Sequence, residues 1–365
     1  MTQRREQRTI GLAAAGCVLS FMGLASAQTS PPPSQPPGYG QPPPGYGQPQ
    51  PGYPPYPGYD QPPPFGVGYP QPTTPSRAPG EIGFLYGTSI VYGAGVGSWL
   101  SIEMQITDPG IFLIAPAVLG AAAPLGVYLL DRPELDRGLP VAIASGMIIG
   151  AGEGIGIAGV HDTTVSSEDL WGIRGFARTT TAGSTLGAVG GYAVGYYLEP
   201  EVTSTVFTTS GVFWGTAIGS FFGYGASPEG EGWSGSNDYA AVGGLIGFNV
   251  GLGIAGGLGI VWIPSWEQIG WMWAGAGIGG AASLPVFLLY ADHAGPPVKR
   301  GLLFTGTATA LGIGVAALFA PGDDTVGLAR STPPRPFPSR WISLTHVGPM
   351  AVEGGLGLQV GGQLF

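Results

Sequence analysis

The sequence predicts a mainly α-helical, Gly-rich membrane bundle that follows a signal peptide and a disordered tract. Charged residues make up 10% of the chain, where a soluble domain has about 25%. The chain contains 68 Gly, and its apolar residues fall into about eight segments of about twenty residues, the length of a membrane-spanning helix. A soluble globular domain is therefore a poor fit.

Residues 1–27 have the features of a secretory signal peptide. Basic residues near the start are followed by an apolar run at 10–24 and by the small residues Ala-Ser-Ala at 25–27, the pattern that signal peptidase recognises. We expect cleavage before Gln28. A lipoprotein signal with Cys17 as the acylated residue is the weaker alternative, because the chain stays apolar after Cys17.

Residues 28–80 form a Pro/Gly/Tyr/Gln-rich tract with a loose Pro-Gly-Tyr repeat. The tract has almost no aliphatic residues, so it cannot bury enough apolar area to offset its chain entropy, and we predict that it is disordered. Its simplest interpretation is a spacer. The alternative is a binding tract that contacts cell-wall material or a protein partner through its tyrosines. These are Tyr39, Tyr46, Tyr53, Tyr56 and Tyr59.

Residues 81–321 are predicted to form the membrane domain, and residues 322–365 a Pro-rich tail. The apolar segments are 82–104, 109–130, 139–160, 176–198, 202–226, 239–263, 268–291 and 302–320. Charged residues and prolines separate most of them. We therefore expect helices joined by short loops.

Glycines repeat every four residues within several segments, which places them on one face of a helix. Such a stripe lets a neighbouring helix backbone approach closely in lipid. The predicted helix-packing residues are Gly146, Gly150, Gly154, Gly183, Gly187, Gly191, Gly195, Gly211, Gly215, Gly219, Gly223, Gly243, Gly247 and Gly251.

The segments also repeat in pairs. Arg174, Asp238 and Arg300 each begin a segment, and these segments carry small residues at corresponding positions. Their partner segments share a Trp-containing pattern that ends at Trp214 and Trp273. A duplicated helical hairpin accounts for both features.

An outer-membrane β-barrel is the alternative fold, because residues four apart also share a face of a β-strand. Barrel strands alternate apolar and polar residues, whereas most of these segments are apolar or small at every position. Helix is therefore favoured. The tail does alternate at 341–344 and 355–360, and it is predicted to end in a short β-like segment.

The sequence offers little for catalysis. Residues 275–280 match a dinucleotide-binding glycine pattern, but they lie inside an apolar segment without a preceding strand. His161, His293 and His346 are scattered and are interpreted as loop residues, and the only cysteine lies in the signal peptide. We therefore predict no enzymatic activity, no catalytic residues, no cofactor and no metal site.

Glu153 is the one acidic residue that stands out, because it lies in the apolar run of the third segment. A carboxylate at membrane depth is costly unless it faces a cavity or a partner. One interpretation is a helix-end residue near His161 that reaches the membrane surface. The other is a carboxylate at a pore or packing site.

The net charge of −9 and the single lysine, Lys299, argue against nucleic acid as a partner. We expect membrane lipid, with self-association or envelope proteins as further partners. Basic residues mark both sides of the predicted segments, without the bias that inner-membrane helical proteins show. The outer membrane is therefore slightly favoured over the inner membrane.

The four-residue glycine spacing of the body resembles that of glycine-zipper membrane proteins of bacterial envelopes, over about two-thirds of the chain. The resemblance implies an envelope location and carries no activity with it. The expected function is thus a non-enzymatic structural or assembly component of the cell envelope. The alternative is a channel or transporter component with Glu153 on its path.

Overall fold

The computed structural model describes residues 77–228, 237–290 and 298–321, together with the backbone at 325–326, 342–352 and 355–364. The predicted signal peptide and the predicted disordered tract up to residue 76 lie outside the described residues. The described chain is mainly helical, which confirms the predicted fold class at that level. The alternative of a β-barrel is wrong for the described body, because its long apolar segments are helices.

Ten α-helices lie in the described residues, and they are numbered here in chain order. They are α1 (Pro79–Glu103), α2 (Pro109–Phe112), α3 (Ile114–Leu130), α4 (Leu139–Thr164), α5 (Gly172–Leu198), α6 (Val202–Ala226), α7 (Asn237–Val261), α8 (Trp266–Ala282), α9 (Val286–Leu289) and α10 (Gly301–Phe319). A 3-10 turn at Val298–Arg300 leads into α10.

Two predicted segments are divided in the structure. In the second, the side chain of Asp108 accepts the backbone N–H of Ile111 at 2.9 Å and caps the short α2, after which the chain turns before α3. In the seventh, the Ser283 hydroxyl donates to the carbonyl of Gly280 at 2.6 Å as α8 ends. Pro285, just beyond, has no N–H with which to continue the helix.

Five helical spans of the described residues are long and apolar enough to cross a membrane. They are Pro109–Leu130, Leu139–Thr164, Asn237–Val261, Trp266–Leu289 and Val298–Phe319. The helices α1, α5 and α6 have comparable lengths but are less apolar.

Helices α4 and α6 lie at the centre of the bundle, since each contacts four other helices. Helix α6 contacts α4, α7, α8 and α10. Two of its threonine hydroxyl groups bond within the helix: Thr209 donates to the carbonyl of Thr205 at 3.0 Å, and Thr216 donates to that of Val212 at 2.7 Å. Such bonds to the preceding turn let Ser and Thr lie in apolar surroundings without unpaired donors.

The long helices pack mainly as consecutive antiparallel pairs: α1 with α3, α4 with α5, α6 with α7, and α8 with α10. Neighbouring pairs meet through α1 and α4, through α4 and α7, and through α6 and α10. We call the end of the bundle where α1 begins the proximal end, and the opposite one the distal end. Because the long helices alternate in direction, α10 finishes at the proximal end.

Buried apolar side chains form two clusters. The first joins α1, α3 and α4 through Leu85, Val127 and Ile143. The second joins α6, α7 and α8 around Phe207 and Met272. The clusters connect neighbouring helix pairs, so the pairs are held together by side chains and not by the paired backbones alone.

Two short antiparallel sheets complete the described chain. Strand β1 (Trp262–Ile263) pairs with β2 (Thr325–Val326). In the tail, β3 (Ile342–Val352) pairs with β4 (Gly355–Leu364), with an irregularity between Leu344 and His346. The alternating residues at 341–344 and 355–360 thus fall almost entirely within a longer two-stranded ribbon.

Candidate functional site

The glycines of α4 and α5 bring the two helix backbones into direct contact. A Cβ atom on Gly150 would lie 2.0 Å from the carbonyl oxygen of Gly183, and a Cβ on Gly183 would lie 2.1 Å from that of Gly150. Gly146 and Gly187 are related in the same reciprocal way, at 2.1 and 2.0 Å. No side chain fits at these positions unless the helices move apart.

The other predicted positions of this pair lie along the same line of contact. Added Cβ atoms on Gly154, Gly191 and Gly195 would meet Thr179, Ala142 and Leu139, respectively, at 2.1, 2.2 and 2.7 Å. Helix α4 begins beside this contact at Gly138, whose φ of 82° is a left-handed conformation that glycine adopts readily.

Helices α6 and α7 repeat the arrangement. A Cβ on Gly215 would lie 2.1 Å from the carbonyl oxygen of Gly247, and one on Gly219 would lie 2.1 Å from that of Gly243. The remaining predicted positions are also in contact. A Cβ added to Gly211 would lie 2.3 Å from the Cβ of Ala255, and Cβ atoms on Gly223 and Gly251 would lie 2.0 and 2.1 Å from the carbonyl oxygens of Tyr239 and Gly211, respectively.

Sequence analysis missed equivalent glycines in the outer two helix pairs. In α8, a Cβ on Gly275 or Gly279 would lie 2.3 or 2.1 Å from a carbonyl oxygen of α10. In α1, a Cβ on Gly93 would lie 2.3 Å from the carbonyl oxygen of Leu119 in α3, and Gly97 is similarly close to α3. The signal was present, because both pairs of glycines are four residues apart.

Not every helical glycine faces a neighbour. Cβ atoms on Gly159 in α4, Gly190 in α5 and Gly253 or Gly257 in α7 would meet nothing within 4 Å. These open positions lie on the same helices as the contacting ones. They therefore provide matched controls in which glycine is replaced without a direct steric effect.

Aromatic side chains connect the third and fourth helix pairs. Trp214 and Trp273, the tryptophans of the repeated sequence pattern, have ring centroids 5.3 Å apart. Phe207 lies 6.2 Å from Trp214 and 5.3 Å from Trp262. The indole N–H of Trp273 donates to the hydroxyl of Ser210 at 3.1 Å. The repeated pattern thus contributes to one buried contact between the two pairs.

Glu153 lies where the second helix pair meets the third. The amide nitrogen of Asn249 in α7 donates to both carboxylate oxygens of Glu153, at 3.3 and 3.1 Å. Beside this contact, the ring of Phe248 occupies the space at Gly152, and Leu245 occupies that at Gly156. Glu153 is half-buried and Asn249 is exposed on the surface of the described bundle.

The interpretation of Glu153 as a helix-end residue is wrong, because α4 continues to Thr164. His161 lies in the last turn of α4, not in a loop. Its ring stacks on Trp171 with centroids 3.8 Å apart and lies beside the Asp162 carboxylate. That carboxylate accepts the backbone N–H groups of Trp171 and Gly172, and it thereby fixes the turn between α4 and α5.

No protein-family model, curated protein or solved structure matches this chain. The role of the protein is therefore inferred from the contacts within the chain itself. Within the described residues, no group of three or more His, Cys, Asp or Glu side chains is placed to hold a metal ion. His346 lies in β3, and His293 lies outside the described residues.

Charged groups tie the helix pairs together at the proximal end. Arg77 forms a two-pronged contact with Asp131, with Nη2 3.1 Å from Oδ2. Mainly because of its hydrogen bond to the Arg77 guanidinium, the Asp131 carboxyl has a pKa below its ordinary value. Arg137, before α4, pairs with Glu201, before α6, at 3.3 Å. The first contact lies within the α1–α3 pair, and the second links the α4–α5 pair to the α6–α7 pair.

Glu81 is the most buried carboxylate of this end, with 5% exposure. One oxygen accepts the backbone N–H of Ala78 at 3.0 Å, and the other accepts that of Gly138 at 2.6 Å. The side chain therefore caps α1 and holds the start of α4 beside it.

Proposed function

We propose that this protein is a non-enzymatic structural or assembly component of a bacterial cell envelope, embedded in a membrane through its helical bundle. The observation that carries the proposal is the reciprocal backbone contact of glycines in α4 with α5 and in α6 with α7. In each such pair the two helix backbones pack directly against each other.

Glycine contacts of this kind suit a lipid environment. Lipid tails are as apolar as leucine, so helices gain little from burying apolar area, and close packing of backbones is the main source of attraction. We propose that the fourteen predicted glycines pack the helical hairpins in this way. The same reasoning extends the role to Gly93, Gly97, Gly275 and Gly279.

The first and last helices meet the same end of the bundle, because helix α1 begins and α10 finishes at the proximal end. If the N-terminal signal is cleaved after export, the start of α1 and the end of α10 would both lie on the exported side of the membrane. We propose that the tract reaches cell-wall material or an envelope protein from there. The outer membrane remains our favoured location.

Membrane fractionation with N-terminal sequencing tests this proposal. We expect the protein in the membrane fraction after carbonate washing, with a mature chain that begins at Gln28. A soluble protein would contradict membrane embedding, and an uncleaved N-terminus would contradict export through this signal. An acylated Cys17 would instead assign the lipoprotein pathway. Separation of inner from outer membranes assigns the location.

A channel or transporter component is the second candidate, and the position of Glu153 within an apolar helix favours it. If Glu153 lines a conducting path, Glu153→Gln should reduce or abolish ion conductance of the protein reconstituted in planar bilayers. The structural function predicts no conductance above the empty-bilayer level for either protein. The two candidates therefore give opposite results in one recording.

A further inference from the structure

The β3–β4 ribbon of the tail has one apolar face. Residues directly opposite each other in antiparallel strands share a face, and successive residues of a strand alternate between faces. On one face, the register places Ile342, Leu344 and Val347 of β3 with Leu356, Leu358 and Val360 of β4. The opposite face of β4 has only Gly and Gln, and that of β3 has large apolar residues only beside the turn, at Met350 and Val352.

The irregularity in the ribbon keeps the apolar residues together. Leu344 pairs with Gly362 and His346 pairs with Gly361, so β3 has one extra residue at this point. Without the extra residue, Val347 would fall on the face opposite Leu344, because a shift of one residue moves a strand position to the other face. The bulge therefore matches the backbone register to the apolar pattern of the sequence.

The apolar face has no strand or helix pair of the described chain to cover it. The sheet consists of β3 and β4 only, and these strands contact mainly each other. A two-stranded hairpin is marginally stable in water and needs further packing on its hydrophobic face. We therefore expect a partner on this face of the ribbon.

The ribbon is tethered close to a membrane surface. Helix α10, which belongs to a span apolar enough to cross a membrane, ends at Phe319 at the proximal end. Strand β2 is held at the same end by its pairing with β1, which joins α7 to α8. About fifteen residues then lead from β2 to β3, and they span at most about 50 Å. The surface of the bilayer that holds the bundle is therefore within reach of the ribbon.

The charge of the tail favours anionic lipid as the partner. Residues 327–365 contain three arginines and one acidic residue, although the whole chain has a net charge of −9. All three arginines precede β3, and Trp341 directly adjoins it. Basic residues next to an apolar face attract anionic headgroups, and Trp is typical of the membrane–water interface. A second copy of the ribbon suits the face less well, because it would bring like charges together.

We propose that the apolar face of the β3–β4 ribbon binds the bilayer surface at the proximal end, among anionic lipid headgroups. The tail then adds a peripheral membrane contact to the one made by the spanning helices. This proposal goes beyond the structural role proposed above and rests on its membrane embedding. It does not depend on the glycine contacts between the helices.

Single cysteines in a Cys17→Ser background test the proposal, because Cys17 is the only native cysteine. Val360→Cys lies on the apolar face, and Gln359→Cys, the preceding residue, lies on the opposite face. Each full-length protein is spin-labelled and reconstituted in phosphatidylcholine vesicles with about 30% phosphatidylglycerol. Electron paramagnetic resonance then measures collisions of the label with oxygen, which concentrates in lipid, and with a water-soluble nickel chelate. We expect the oxygen-to-nickel ratio to be about tenfold higher at position 360 than at position 359.

The lipid composition tests the role of charge. In vesicles of phosphatidylcholine alone, the difference between positions 360 and 359 should fall to less than about half, because the arginines then have no anionic surface to bind. An unchanged difference would contradict the assignment to anionic headgroups.

Leu311→Cys is the control for embedding of the bundle, since Leu311 lies within α10 and is 64% exposed. A high oxygen-to-nickel ratio at position 311, with equal ratios at 359 and 360, would overturn the ribbon proposal alone. A low ratio at position 311 would overturn membrane embedding and, with it, both proposals. Few collisions with either reagent at position 360 would mean that protein, such as a second copy, covers the face, and this too would overturn the lipid contact.

Discussion

Replacing Gly187 by Leu should lower the melting temperature of the detergent-solubilised protein by about 5–10 °C. A Cβ at this position would lie 2.0 Å from the carbonyl oxygen of Gly146 and 3.0 Å from the Cα of Gly150. Both neighbours are backbone atoms and cannot rotate away, so α4 and α5 must separate. In lipid or detergent, the added apolar side chain does not compensate for the lost contact.

Gly190→Leu is the matched control. Gly190 lies on the same helix less than one turn away, and a Cβ there would meet nothing within 4 Å. Leucine has a higher helix propensity than glycine, so this variant should be as stable as the wild type or slightly more stable. Both variants should insert into membranes equally. Equal loss of stability in the two would refute the packing role of the glycines.

The smaller substitution Gly187→Ala distinguishes the effect of the Cβ atom itself from the effect of a large side chain. Because the Cβ itself causes the overlap, Gly187→Ala should already destabilise the protein, although alanine is the best helix former. A stable Gly187→Ala variant would mean that the two helices can move apart at little cost.

Much of the helical architecture could be predicted from the sequence, because spacing and hydrophobicity are local properties. Glycines four residues apart, such as Gly215 and Gly219, must share a helix face. The sequence did not indicate which neighbouring helix each glycine face contacts. That Gly215 meets Gly247 and that Gly275 meets α10 depends on which helices are neighbours, which is set by the whole bundle.

Glu153 shows the same limit. The sequence placed a carboxylate in an apolar helix and left its role open. Its partner, Asn249, is in a different helix pair and has no local signal, because a single asparagine in an apolar segment is compatible with many positions. The splitting of the second and seventh segments was predictable in part, since Asp108 and Pro285 are common helix-boundary residues.

Glu81, at the proximal end, is the second residue whose replacement should have a large effect on stability. Glu81→Ala should destabilise the protein by about 2–4 kcal/mol, because it removes the hydrogen-bond acceptor of two backbone N–H groups at once. One belongs to Ala78 at the start of α1, and the other to Gly138, which is buried at the start of α4. The left-handed conformation of Gly138 leaves its N–H aimed at this carboxylate, and water has little access to replace it.

Glu134→Ala is the control for the loss of a carboxylate at the same end. Glu134 is exposed and lies 3.6 Å from Arg77, and exposed ion pairs contribute about 0–1 kcal/mol. The comparison is made by thermal melting in detergent, with membrane insertion checked for both variants. Glu81→Ala should melt clearly below Glu134→Ala, and Glu81→Gln should fall between them because it keeps one acceptor oxygen. If the two alanine variants melted at the same temperature, Glu81 would contribute only charge, and the link between α1 and α4 would have to come from their apolar contacts at Leu85 and Ile143.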